Sequence, residues 1–65
     1  MEKLDSYNRE IKLGDLVNID SMYSHKACGE VIGFTTQKVK VYNIYYDRNM
    51  IIKPKNLTLM TEYNN

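Results

Sequence analysis

His25 and Cys28 stand three residues apart, and they are the only histidine and the only cysteine in the chain. The spacing superficially matches a thiol–imidazole pair. Such a pair becomes nucleophilic when the imidazole takes the thiol proton inside a water-excluded cleft, with a further group orienting it. A chain of 65 residues has little volume for such a cleft. Cys28 also leads directly into an apolar run, where a free cysteine behaves as a small hydrophobe. As metal ligands the pair supplies half of the four that structural zinc takes. No catalytic residue, no metal site and no cofactor is therefore expected, and the chain reads as a binder, not an enzyme.

Tyrosines and lysines are the stronger candidates for recognition. Six tyrosines and no tryptophan occur in the sequence. Tyr23 falls in a polar stretch, while Tyr42, Tyr45 and Tyr46 cluster further on. A tyrosine ring offers large apolar contact area with one hydrogen-bonding tip. It serves equally to cover a small core with a hydrated hydroxyl. Lys38, Lys40 and Tyr42 alternate along one segment, so in a strand they project from one face. Ammonium groups beside a ring make a plausible nucleic-acid strip, extended by Arg48, Lys53 and Lys55 if the fold brings them near. The same lysines would also protect an exposed strand from unwanted pairing.

Length bounds what can hold these groups in place. A domain this small buries only about 60% of the surface its unfolded chain exposes, so the core is thin. No internal disulfide can form with one cysteine, and an unpaired cysteine in so small a domain points to a reducing, cytoplasmic setting. Neither a signal-peptide run nor a membrane-spanning stretch appears in the sequence. Net charge is +1; residues 1–30 carry six acids and four bases, and residues 31–65 carry five bases and two acids. The near-neutral total favours a protein partner over nucleic acid, because a nucleic-acid binder of this size is normally clearly basic.

The elements that must position the candidates are short strands. Residues 1–10 lack a clean apolar period and read as an N-terminal arm, with Leu4, Tyr7 and Ile11 as one helical turn or a loose cover, or the whole segment as a frayed arm. From Ile11 the pattern turns to alternation. Gly14-Asp15 reads as a turn, Val17 to Ile19 as a strand, and residues 21–27 as a long polar loop. The next strand spans Gly29 to Phe34, with Gly33 expected to mark a bulge that coils the sheet. Thr35-Thr36-Gln37 is of hairpin length, and Lys38 to Ile44 alternates with Val39 and Val41 inward. Asp47-Arg48-Asn49 reads as a turn and Met50 to Ile52 as a fourth strand, ended by Pro54. Pro54 to Leu57 suits a 3₁₀ turn, Thr58 to Met60 a closing strand, and residues 61–65 a frayed end.

The stretches Leu13-Gly14-Asp15-Leu16-Val17-Asn18-Ile19, Gly29-Glu30-Val31-Ile32-Gly33-Phe34 and Ile52-Lys53-Pro54-Lys55-Asn56-Leu57 resemble small SH3-like barrels of the KOW and Tudor-like kind. The resemblance covers residues 11–60 and implies an all-β, five-stranded SH3-like barrel with a 3₁₀ turn before the last strand. It also implies that the loop holding Tyr23 and the turn holding Tyr45 and Tyr46 share one end, where Tudor-like members build aromatic cages for methylated lysine or arginine by cation–π attraction. KOW-type members bind nucleic acid, although residues 21–27 are less basic and less glycine-rich than their early segment. The barrel hosts many unrelated functions. Two expectations follow. One is a protein-binding module, a phage-type accessory or inhibitor protein, using Tyr23, Tyr45 and Tyr46 or a sheet edge. The other is a nucleic-acid module using Lys38, Lys40, Tyr42, Arg48, Lys53 and Lys55.

Overall fold

The computed structural model describes residues 2–20 and 27–61. It contains five strands, β1 (Leu16–Ile19), β2 (Ala27–Phe34), β3 (Val39–Asn43), β4 (Arg48–Ile52) and β5 (Leu57–Leu59), with a 3₁₀ turn over Pro54–Asn56 before the last. All pairings are antiparallel. The sheet runs in the order β4-β3-β2-β1-β5, and no ladder joins β4 to β5, so the sheet is open. No described helix is long and apolar enough to cross a membrane.

Alternation decides the two faces. Val17 and Ile19 on β1, Val31 on β2, Val39 and Val41 on β3, and Leu57 on β5 point to one side and form the core with Ile11, Ala27 and Ile52. Valine dominates the fully buried positions, which suits a pleated surface where branched side chains interlock. The same period carries one residue further than the apolar run: Asn43 follows Val41 inward and is buried.

Several boundaries differ from the sequence reading. β2 begins at Ala27, not Gly29, because Ile19 and Asn18 pair with Ala27 and Cys28. Lys38 sits in the 35–38 turn, where its N–H donates to Thr35 Oγ1 at 2.8 Å and its carbonyl accepts from Thr35 N–H at 2.8 Å. Ile44 lies in the following turn, and Arg48 and Asn49 are strand residues paired with Asn43 and Tyr42. A bulge does interrupt the β2–β3 register between Val31 and Gly33. Yet a Cβ at Gly33 would meet nothing closer than the flexible Lys40 Cδ at 3.4 Å. The position that tolerates no side chain is Gly29, where a Cβ would lie 2.4 Å from the Tyr42 carbonyl oxygen and 2.5 Å from Val41 Cγ1.

The N-terminal segment is neither a helical turn nor an unattached arm. It doubles back through a Leu4–Glu10 bridge and lies along β5, with Asp5 fully buried beneath it. Asp5 Oδ1 accepts the N–H groups of Tyr7 at 2.9 Å and Arg9 at 2.8 Å. Its Oδ2 accepts Leu59 N–H at 2.9 Å and the Arg9 guanidinium at 3.0 and 3.1 Å. Burial pushes this carboxyl upward, but the hydrogen bonds from Leu59, Arg9 and Tyr7 together outweigh it and hold Asp5 below its ordinary value. Lys55 Nζ adds contacts to the Asp5 carbonyl at 3.4 Å and to Asn8 Oδ1.

Two expectations follow for stability. Asp5→Asn should cost about 3 kcal/mol at neutral pH, since buried donors lose their charged acceptor. Because the folded value is depressed, the Asp5 contribution is complete above the unfolded carboxylate value of about 4 and is lost as pH falls through the lower, folded value. Urea unfolding across that range should show acid destabilisation that the variant lacks, and equal stability of the two proteins at neutral pH would refute the assignment. Separately, Gly29→Ala should cost about 3 kcal/mol through forced backbone movement, whereas Gly33→Ala should stay within about 0.5 kcal/mol of the parent. Chemical denaturation of both variants checks the contrast.

Candidate functional site

The 44–47 turn joins β3 to β4 and carries the tyrosines singled out above. Asn43 builds it from below: its buried side-chain oxygen accepts the Tyr46 N–H at 3.0 Å, and its amide nitrogen reaches Met50 Sδ at 3.3 Å. Asp47 closes the turn at φ 53°, a left-handed conformation that aspartate tolerates better than most residues. With the backbone held this way, Ile44, Tyr45 and Tyr46 all turn outward, at 50%, 72% and 53% exposure. The two rings meet edge to face with centroids 4.9 Å apart. Ile51 on β4 adds a further exposed aliphatic side chain.

Tyr23, the proposed opposite wall, lies outside the described residues, as does His25. The rings brought together are thus Tyr45 and Tyr46. Cys28 is half-buried on β2 and borders a shallow apolar depression of about 170 Å³ with Leu16, Gly29, Ile44 and Met60. Among the described residues no three histidine, cysteine, aspartate or glutamate side chains gather as a metal-binding group.

The basic candidates are dispersed. Lys40 and Tyr42 do share the outer face of β3, with Ile51 and Asn49 opposite them on β4. Lys38 is exposed in the hairpin turn and Arg48 is exposed at the start of β4. Lys53 is exposed at the entrance to the 3₁₀ turn. Lys55 is engaged with the N-terminal segment through Asp5 and Asn8.

Two acids that the sequence reading left out flank Tyr42. Glu30 is its direct cross-strand partner on β2, and its hydroxyl donates to Asp47 Oδ1. That hydrogen bond raises the Tyr42 phenol above its ordinary value, with smaller contributions from burial and from the negative charge of Asp47. No distinctive motif announces Asp47 as a partner of Tyr42; the five-residue separation becomes a contact only because the turn reverses the chain.

Removing the carboxylate should release the phenol. Asp47→Asn is expected to lower the Tyr42 pKa toward the ordinary value of about 10, read from the pH titration of the Tyr42 ring resonances. In the parent the hydrogen bond contributes fully below the ordinary phenol value and is lost as pH rises through the raised one. An unmoved titration in the variant would show that Asp47 does not hold the phenol.

No known protein family matches the chain, and no curated protein and no solved structure matches it either.

Proposed function

We propose that this chain is a small non-enzymatic module of the SH3-like barrel type that acts by protein–protein recognition. The exposed cluster of Ile44, Tyr45 and Tyr46 carries the reading. Two rings and one aliphatic side chain turned to solvent on one turn of a 65-residue domain form an apolar patch outside its own core. Aromatic residues on a positioned turn are the side chains that tend to anchor protein interfaces. Strand order, the bulge in β2 and the 3₁₀ turn before β5 support the SH3-like assignment. A free cysteine supports a cytoplasmic setting, and the small size suits an accessory or inhibitor protein.

The nucleic-acid alternative draws on Lys40 beside Tyr42. Glu30 and Asp47 weigh against it, because they put negative charge on both sides of the ring that would stack on a base.

The two readings separate on one set of variants. For a protein partner captured from host extract after nuclease treatment, Tyr45→Ala or Tyr46→Ala should each weaken binding at least tenfold, about 1.4 kcal/mol. Lys38→Ala with Lys40→Ala should change it less than threefold. If the lysine pair dominates instead, and binding to DNA or RNA falls steeply with salt, the nucleic-acid reading replaces this one.

A further inference from the structure

The two edges of the sheet are finished differently. On β5 every outward-facing backbone group is taken. Leu57 N–H donates to the Pro54 carbonyl, and the Leu57 carbonyl accepts Ser6 N–H at 2.8 Å. Leu59 N–H donates to Asp5, and the Leu59 carbonyl accepts from Arg9 Nη2 at 3.2 Å. The N-terminal segment therefore occupies the place of a further strand.

On β4 the direction of each backbone group follows from alternation. Ile44 donates its N–H to the Cys28 carbonyl at 3.0 Å, toward β2. Even-numbered residues of β3 thus face β2, and Val39, Val41 and Asn43 face β4, where they meet Ile52, Met50 and Arg48. The N–H and C=O groups of Asn49 and Ile51 then point away from the sheet, on a side where no described strand pairs. The Ile51 side chain beside them is 58% exposed.

We infer that β4 is a docking edge for an extended acidic peptide, which adds to the sheet as a sixth, antiparallel strand. This rests on the protein-binding reading above and names its partner class. Donors and acceptors alternate along the edge, which matches a peptide backbone; a phosphate backbone offers acceptors alone and would leave both carbonyls unanswered. Charge selects the peptide. Arg48 is on β4, Lys53 follows it directly, Lys40 pairs with Ile51 and Lys38 precedes the Val39–Ile52 pair, while the one acid between β3 and β4, Asp47, holds the Tyr42 hydroxyl. A second copy of this chain would set the same positive edge against itself, so an acidic strand is the better complement. With period-two alternation, such a strand lays carboxylates on the Ile51 face, where Lys40 is the cross-strand neighbour of Ile51, and apolar residues on the other, beside Met50 and Ile52.

The test uses the full chain and a capped hexapeptide of alternating glutamate and valine, with a lysine–valine hexapeptide as control, read by amide hydrogen exchange. The acidic peptide should slow exchange at Asn49 and Ile51 at least tenfold, and the basic one should not. Ile51→Pro removes an outward donor without touching the ladder and should abolish the protection. Should that variant not fold, Arg48→Glu with Lys53→Glu should transfer the preference to the basic peptide. Absence of protection, equal protection by both peptides, an unchanged preference in the reversed variant, or protection that grows with protein concentration without peptide would each overturn the proposal; the last would assign the edge to a second copy. Failure here with partner capture still dependent on Tyr45 and Tyr46 leaves the turn reading standing, whereas edge protection with tyrosine-independent capture removes the turn reading alone.

Discussion

A carboxylate withdrawn from water governs how this sheet ends. Burying the Asp5 side chain is unfavourable by itself, yet it receives the N–H groups of Tyr7, Arg9 and Leu59 together with the Arg9 guanidinium. Charge-assisted hydrogen bonds of this kind are about twice as strong as neutral ones, and here they converge on a group whose loss would strand several donors. Arg9 completes the clamp by reaching the Leu59 carbonyl. Through these contacts a segment without apolar periodicity becomes the cover of β5, and one of the two sheet edges is removed from play.

The rest of the architecture follows from scarcity of core. Nine aliphatic residues are buried among those described, five of them small or short: Ala27, Val17, Val31, Val39 and Val41. Such side chains permit close approach, and at Gly29 the approach is so close that β3 backbone occupies the space of a side chain. The sheet coils around this contact and around the bulge that follows it in β2. Larger apolar residues are left outside, three of them, Ile44, Tyr45 and Tyr46, where β3 turns into β4 over an amide platform built by Asn43. That turn lies on the part of the sheet farthest, in strand order, from the Asp5 clamp.

Two acids near the covered edge are engaged internally, Asp5 by the clamp and Asp15 by the Lys12 N–H at 2.8 Å, while Glu2, Glu10 and Asp20 stay exposed. On the β4 side the bases remain exposed, apart from Lys55, which turns back to the N-terminal segment. An unpaired edge thus faces solvent opposite one covered by the N-terminal segment.

Strand existence, strand order of appearance and the inward pair Val39 and Val41 were legible from alternation, because a period of two splits a strand into two faces and the apolar one meets the core. The same holds for the turn at Gly14-Asp15, where Gly14 takes φ 88°, and for Pro54, which ends β4 and opens the 3₁₀ turn. Turn residues were less legible: Arg48 and Asn49 have the composition of a turn yet pair with Asn43 and Tyr42, since cross-strand bonding outweighs weak local preference. Three features belonged to tertiary structure alone. Asp5 reads as a solvated charge until Leu59, 54 residues away, donates to it. The need for glycine at position 29 exists only where another strand's carbonyl arrives, so the visible bulge drew attention to Gly33 instead. The coupling of Tyr42 to Asp47 appears only when the chain reverses between them. Local pattern reports which way a side chain points; which partner it meets is decided by contacts distant in sequence, and those carry no period.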